Sequence, residues 1–127
     1  MTTLRRFHRF RLPAILLAMA ASTAELAAAK IVCIAGGGEK DPGNPAVECR
    51  LLEPYAVAFM ESGEMVIVEM TGGNRILKVD AKGVLHLIGG TGAKGYSGDG
   101  GPATEATFNG IHNLAISKRG DLLLSDS

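Results

Sequence analysis

PATEATFNGIHNLAISKRGDLLLSDS, residues 102–127, lies over PAVECRLLEPYAVAFMESGEMVIVEM, residues 45–70, at a constant offset of 57. Pro45 meets Pro102, Ala46 meets Ala103, Glu48 meets Glu105, Ala58 meets Ala115 and Gly63 meets Gly120; Glu64 and Glu69 meet Asp121 and Asp126. Upstream, IVCIAGG (31–37) aligns with LHLIGGT (85–91) at an offset of 54, so three residues are gained within the second Gly-rich loop. A length change confined to a loop, with strand-like segments kept in register, marks a structural repeat, because surface loops tolerate insertion and strand ladders do not.

Within one repeat the segments are short and β-like. IVCIA (31–35) and VLHLI (84–88) read as strands entering the two Gly-rich loops, and YAVAFM, EMVIVEM and RILKV read as the strands between them. ESGE, TGGN and DAKG connect them, with Gly or Asn where a tight turn needs positive φ. Four strands of this kind form an antiparallel meander, and an all-β fold follows. NLAI and DLLLS then open a second meander.

GTGAKGYSGDGGPATEATFNG followed by IHNLAISKRGDLLLSD resembles the NHL repeat of bacterial secreted β-propellers, and TGGNRILKVDAKG (71–83) is similar to the next part of that repeat. The resemblance implies antiparallel four-stranded blades, with the first repeat over 31–84 and a second, shorter one over 85–127. The loop Gly95, Tyr96, Ser97, Gly98, Asp99, Gly100, Gly101, Pro102 defines the repeat type and not an activity. It would carry the chain from the outermost strand of one blade to the innermost strand of the next, with Asp99 capping backbone N–H groups of its own turn. The first copy departs from the pattern, with GGGEKDPGNPA in place of the full loop and Glu69-Met70 where the repeat usually has Ala-Asp. Because DLLLS is the second strand of its blade, the expectation is the N-terminal part of a longer propeller. Further blades or self-association would cover the open strand edges.

The N-terminus, MTTLRRFHRFRLPAILLAMAASTAELAAAK, has Arg5, Arg6, Arg9 and Arg11 before an apolar run from Leu12 to Ala24 and small residues after it. This is the order of a secretory signal peptide over 1–29, with cleavage after Ala27-Ala28-Ala29 and a mature start at Lys30. Arg5-Arg6 matches a twin-arginine signal only weakly. The apolar run is shorter than the roughly 20 residues that a spanning helix needs, so the mature protein is expected in the periplasm or outside the cell without a stable membrane span. Removing 1–29 takes four arginines and one glutamate from a chain with 13 basic and 13 acidic residues, leaving nine against twelve. That acidic balance, with no aromatic platform beyond Tyr55, Phe59, Tyr96 and Phe108, excludes the electrostatic footprint of a nucleic-acid binder.

No motif in these residues carries catalysis. Ser97, Ser117 and Ser125 lie outside any G-x-S-x-G, and Glu48 with Glu53, or Asp121 with Asp126, read as solvated hairpin ends rather than acid/base pairs. Cys33 and Cys49 have the repeat equivalents Leu87 and Ala106, so they read either as a buried apolar pair or as a disulfide that an oxidising compartment allows. His86 alternates with apolar neighbours and is expected to face solvent or an adjacent blade. Asp99 and His112 are the two metal-ligand candidates, Asp99 for Ca²⁺ within the loop and His112 at the mouth of a propeller channel. One carboxylate falls short of calcium's six to eight oxygens, and one histidine falls short of a Zn²⁺ site. The leading expectation is therefore a binding or scaffold module for a protein, peptide or glycan, with no cofactor. The alternative is part of a propeller hydrolase or lyase, resembling sugar lactonases or amidating lyases, whose channel holds Ca²⁺ or Zn²⁺ once the propeller is complete.

Overall fold

The computed structural model describes residues 29–127, so the expected signal peptide lies outside the described residues but for Ala29. Six strands follow in chain order: β1 (Pro54–Phe59), β2 (Met65–Glu69), β3 (Ile76–Val79), β4 (Leu85–Gly89), β5 (Asn113–Ile116) and β6 (Leu122–Ser125). The first four form an antiparallel meander in the order β1-β2-β3-β4, and β5 and β6 form a separate hairpin. Two single 3₁₀ turns, Ala46–Glu48 and Ala103–Glu105, complete the regular structure, and no α-helix occurs among the described residues.

The turn residues set the register. Met60 N–H donates to Glu64 O, Asp80 N–H to Val84 O and Ser117 N–H to Asp121 O, each at 2.9–3.0 Å. In these three turns Gly63, Gly83 and Gly120 take φ of +86°, +78° and +87°, a conformation that an L side chain resists. Asn74 does the same between β2 and β3 at φ +46°.

Both faces of β2 and β3 are covered. On one face, Ile67, Leu77, Val79 and Leu85 pack with Ala46 and Cys49, brought over by the incoming chain. On the other, Val66, Val68 and Ile76 pack with Ile111 and Leu114 of the hairpin segment. This double cover explains why MVIV lacks polar alternation: Met65 to Val68 each meet apolar neighbours on one side or the other. Strand β1 alternates small with large residues, and Ala56 and Ala58 turn toward the hairpin, where their size lets β5 approach β1.

The repeat reappears in the hydrogen bonds. Arg50 N–H donates to Lys40 O and, 57 residues on, Thr107 N–H donates to Ser97 O. Glu48 N–H to Pro45 O becomes Glu105 N–H to Pro102 O, both at 2.9 Å. Gly36 N–H to Ala46 O becomes Gly90 N–H to Ala103 O, again at 2.9 Å, with donors offset by 54 and acceptors by 57. The change of offset falls inside the loop, where the sequence alignment puts it.

One expected strand is not formed. Residues 31–35 are irregular, and Ile31 is 99% exposed. Their repeat counterpart, β4, owes its conformation to pairing with β3. No strand stands in that position beside 31–35 among the described residues, and apolar alternation without a partner does not make a strand.

Candidate functional site

The loop from Gly89 to Gly110 begins at the edge strand β4 and leads to β5, which contacts β1 at the far side of the same sheet. It is laced by its own backbone. Thr91 N–H donates to Ala106 O, Gly95 N–H to Phe108 O and Thr107 N–H to Ser97 O, all within 2.9–3.0 Å. Gly101 N–H closes the Gly98–Gly101 turn on Gly98 O at 3.0 Å. Gly98 has φ +105°, and a Cβ there would stand 2.7 Å from Ala106 Cα, so only glycine lets the two passes of the loop approach so closely.

What the loop presents outward is chemically sparse. Tyr96 is 84% exposed. Ser97 Oγ and Thr107 Oγ1 lie 2.9 Å apart and share a hydrogen bond. Together with Asp99, Phe108, Leu124 and Asp126 they line a shallow cavity of about 180 Å³. Asp99 is exposed, and among the described residues it caps no backbone N–H; the turn closes main chain to main chain, correcting the expected capping role. An aromatic face, two hydroxyls and a free carboxylate suit stacking and hydrogen bonding to a polar ligand.

The carboxylates pair differently from their spacing in sequence. Glu48 meets Lys40 Nζ at 2.5 Å, which holds the lysine's pKa above its ordinary value, and Glu53 accepts Thr71 Oγ1 and Gly72 N–H at 2.8 and 2.6 Å. Asp121 accepts Ser117 Oγ at 2.9 Å, while Asp126 accepts Asn109 N–H through both oxygens at 2.8 and 3.0 Å. Asp126 is thus a loop anchor and not a free hairpin end. Its counterpart Glu69 does the same 57 residues earlier, accepting Leu52 N–H at 2.5 Å. Glu69 is 0% exposed and is also gripped by Arg75 through Nε and a terminal nitrogen at 2.5 and 3.0 Å. Beyond the matched acidic positions 69 and 126, nothing in the sequence marks this buried ion pair.

His86 faces solvent, its Nε2 2.8 Å from Asp80 Oδ2. Asp80 also accepts Val84 and Lys82 N–H, and these bonds, Val84's first and the His86 contact second, lower its pKa to about 2. His112 is exposed just before β5, its Nδ1 3.2 Å from both Gly110 O and Ser127 Oγ. The hydroxyl–imidazole contact is unforeseen in the sequence, and among the described residues no carboxylate hydrogen-bonds the ring to orient it for base catalysis. Asp99 lines the loop cavity and His112 does not. Among the described residues no three His, Cys, Asp or Glu side chains converge as metal ligands, and no helix is long and apolar enough to cross a membrane.

Both cysteines are free thiols, so neither expected pairing is formed. Cys49 is buried with Sγ against the carbonyls of Asp41 and Pro45 at 3.4 Å, whereas Cys33 is exposed because the segment carrying it is not held in a strand. A second shallow cavity, of about 330 Å³, lies between the β1–β2 turn (Phe59, Met60, Glu61) and the β5–β6 turn (Lys118, Arg119). No family model and no curated protein sequence matches the chain.

Proposed function

We propose that residues 30–127 are part of an exported NHL-type β-propeller that serves recognition of a protein, peptide or glycan. The observation that carries this reading is the stacking of a second unit, hairpin β5–β6, on the face of the first meander, with equivalent hydrogen bonds 57 residues apart. Radially stacked meanders, each joined to the next by a crossing from an edge strand to the opposite side, are the plan of a propeller. The loop Gly95–Pro102 then stands on one rim, with Tyr96 and Asp99 as its outward chemistry. Folds of this kind present variable loops on rigid blades, and function is argued from the site they carry. The order of basic, apolar and small residues over 1–29 supports export.

The test is a glycan and peptide array probed with the exported chain, its Tyr96→Ala and Asp99→Asn variants, and Ca²⁺ or Zn²⁺ added in parallel. Specific ligands that lose about ten-fold in affinity in either variant, with unfolding unchanged, are expected; ten-fold is about 1.4 kcal/mol, within reach of one aromatic or charged contact. Absence of any ligand, or binding indifferent to both substitutions, contradicts a recognition role for this loop. Binding that appears only with metal, or turnover of a bound ligand, replaces it with the metal-dependent hydrolase or lyase reading.

A further inference from the structure

We infer that Asn109 is a site of spontaneous covalent modification, where the Gly110 nitrogen closes on the Asn109 carboxamide and leaves aspartate and isoaspartate at the anchor of the second hairpin. The chain has four asparagines, and Asn109 alone precedes glycine. Asn44 precedes Pro45, which has no N–H to give up. Asn74 is buried and precedes Arg75, and the N–H that follows Asn113, that of Leu114, is held by Asn113 Oδ1 at 2.8 Å. Gly110 has no side chain to shield its nitrogen. It is buried, yet among the described residues its N–H donates to no group. A buried N–H without a partner is rare and costly, and ring closure removes it.

The step needs only hydroxide and water. The Gly110 nitrogen gives up its proton and bonds to Asn109 Cγ; the Cγ–Nδ2 bond breaks, and the amide nitrogen takes a proton and leaves as ammonia. Water then opens the cyclic imide at either carbonyl, giving aspartate or, with a methylene added to the main chain, isoaspartate. The fold makes this conversion consequential. Asn109 N–H donates to both carboxylate oxygens of Asp126, at 2.8 and 3.0 Å. A carboxylate at position 109 repels that of Asp126 where solvent is partly excluded. Isoaspartate also displaces Ile111, which is 0% exposed in the core between the two units. The matching clasp of the first unit, Leu52 N–H to Glu69 Oε1 at 2.5 Å, carries no amide side chain and is immune. Leu52 is half-buried, as Asn109 is, in a unit whose four strands are all present, so the accessibility of the position does not come from an uncovered end of the stack. Ageing therefore loosens the second unit and spares the first. The inference does not rest on the recognition role proposed above.

Peptide mapping by mass spectrometry reads the conversion in the exported chain incubated for days at neutral and at mildly alkaline pH, with isoaspartate identified by methyltransferase labelling. Acid is expected at Asn109 and not at Asn44, Asn74 or Asn113, as a mixture of aspartate and isoaspartate that accumulates faster at the higher pH. A synthetic FNGIH peptide aged alongside shows that the conditions suffice. Asn109→Asp reads the consequence without ageing: exchange of the Ala115 and Leu123 amides should speed about ten-fold, with the β2 and β3 amides unchanged. Asn109→Gln, whose longer side chain misplaces the carboxamide for ring closure, should survive the same incubation as an amide. Asn109 that stays an amide while the peptide converts, conversion spread evenly over the asparagines, or hairpin exchange unmoved by Asn109→Asp overturns the inference.

Discussion

Replacing Arg75 with alanine tests the most consequential contact found in the structure. The Glu69 carboxylate is 0% exposed and is satisfied by Leu52 N–H and two nitrogens of Arg75, whose own side chain is 15% exposed. Arg75→Ala leaves the charge buried with a single amide donor, which costs about 3–5 kcal/mol by precedent for broken buried pairs. Glu69→Ala instead leaves Leu52 N–H without an acceptor, about 1–3 kcal/mol, while the guanidinium can still reach water. The arginine variant should thus be the worse of the two. A double change, Glu69→Leu with Arg75→Met, keeps the volume without the charges and should recover much of the loss. Urea unfolding followed by far-ultraviolet circular dichroism gives these stabilities and that of Glu69→Ala with Arg75→Ala, which closes the cycle and isolates the pair. A loss below about 1 kcal/mol for Arg75→Ala would show that water reaches Glu69 and would refute the buried-clasp reasoning.

Three further outcomes are specific. Asp80 has its pKa lowered to about 2 from 3.8, so its contribution to stability is present above the unfolded value and is lost as pH falls through about 2. Asp80→Asn should therefore show a shallower acid-unfolding slope than the wild type below about pH 4, with the stability difference between them constant above it; parallel acid limbs would count against the turn bonds. Gly98→Ala forces a side chain into positive φ and onto Ala106, and it should cost about 1–3 kcal/mol and speed hydrogen exchange at Thr107 N–H; unchanged exchange there would show that the loop yields without strain. Amino-terminal sequencing of exported protein should begin at Lys30, and an intact Met1 would contradict the signal-peptide reading.

The hairpins were legible because their turns are chemically explicit. Gly63, Asn74, Gly83 and Gly120 each occupy a positive-φ site that few other residues tolerate, and the strands follow from where those turns fall. The repeat was legible because loop length and strand register vary independently. Residues 31–35 were misread because a period-two apolar pattern describes how a strand would bury its faces and says nothing about whether a neighbour is there to pair with it. The contacts of the carboxylates were not legible for a related reason. Glu69 reaches Leu52 and Asp126 reaches Asn109 across 17 residues of chain, and only the closed fold brings those groups together. Glu53, with φ +54°, departs from the rule that glycine holds such positions, although its counterpart Gly110 at +109° keeps it. The loop cavity beside Tyr96 was invisible for the same cause, since Leu124 and Asp126 enter it from the hairpin.

The seating of the second unit on the first is open to direct test by methyl-labelled nuclear magnetic resonance of the exported chain. Leu114 and Ile116 methyls should show cross-peaks to those of Ala58, Val66 and Val68, because these side chains share one core cluster. Slow exchange of the Ala115 and Leu123 amides should accompany them if the hairpin is paired as found, since Leu114 N–H is turned instead to Asn113 Oδ1. Hairpin methyls that see only each other, with no cross-peak to β1 or β2, would contradict the stacked repeat and the propeller reading with it.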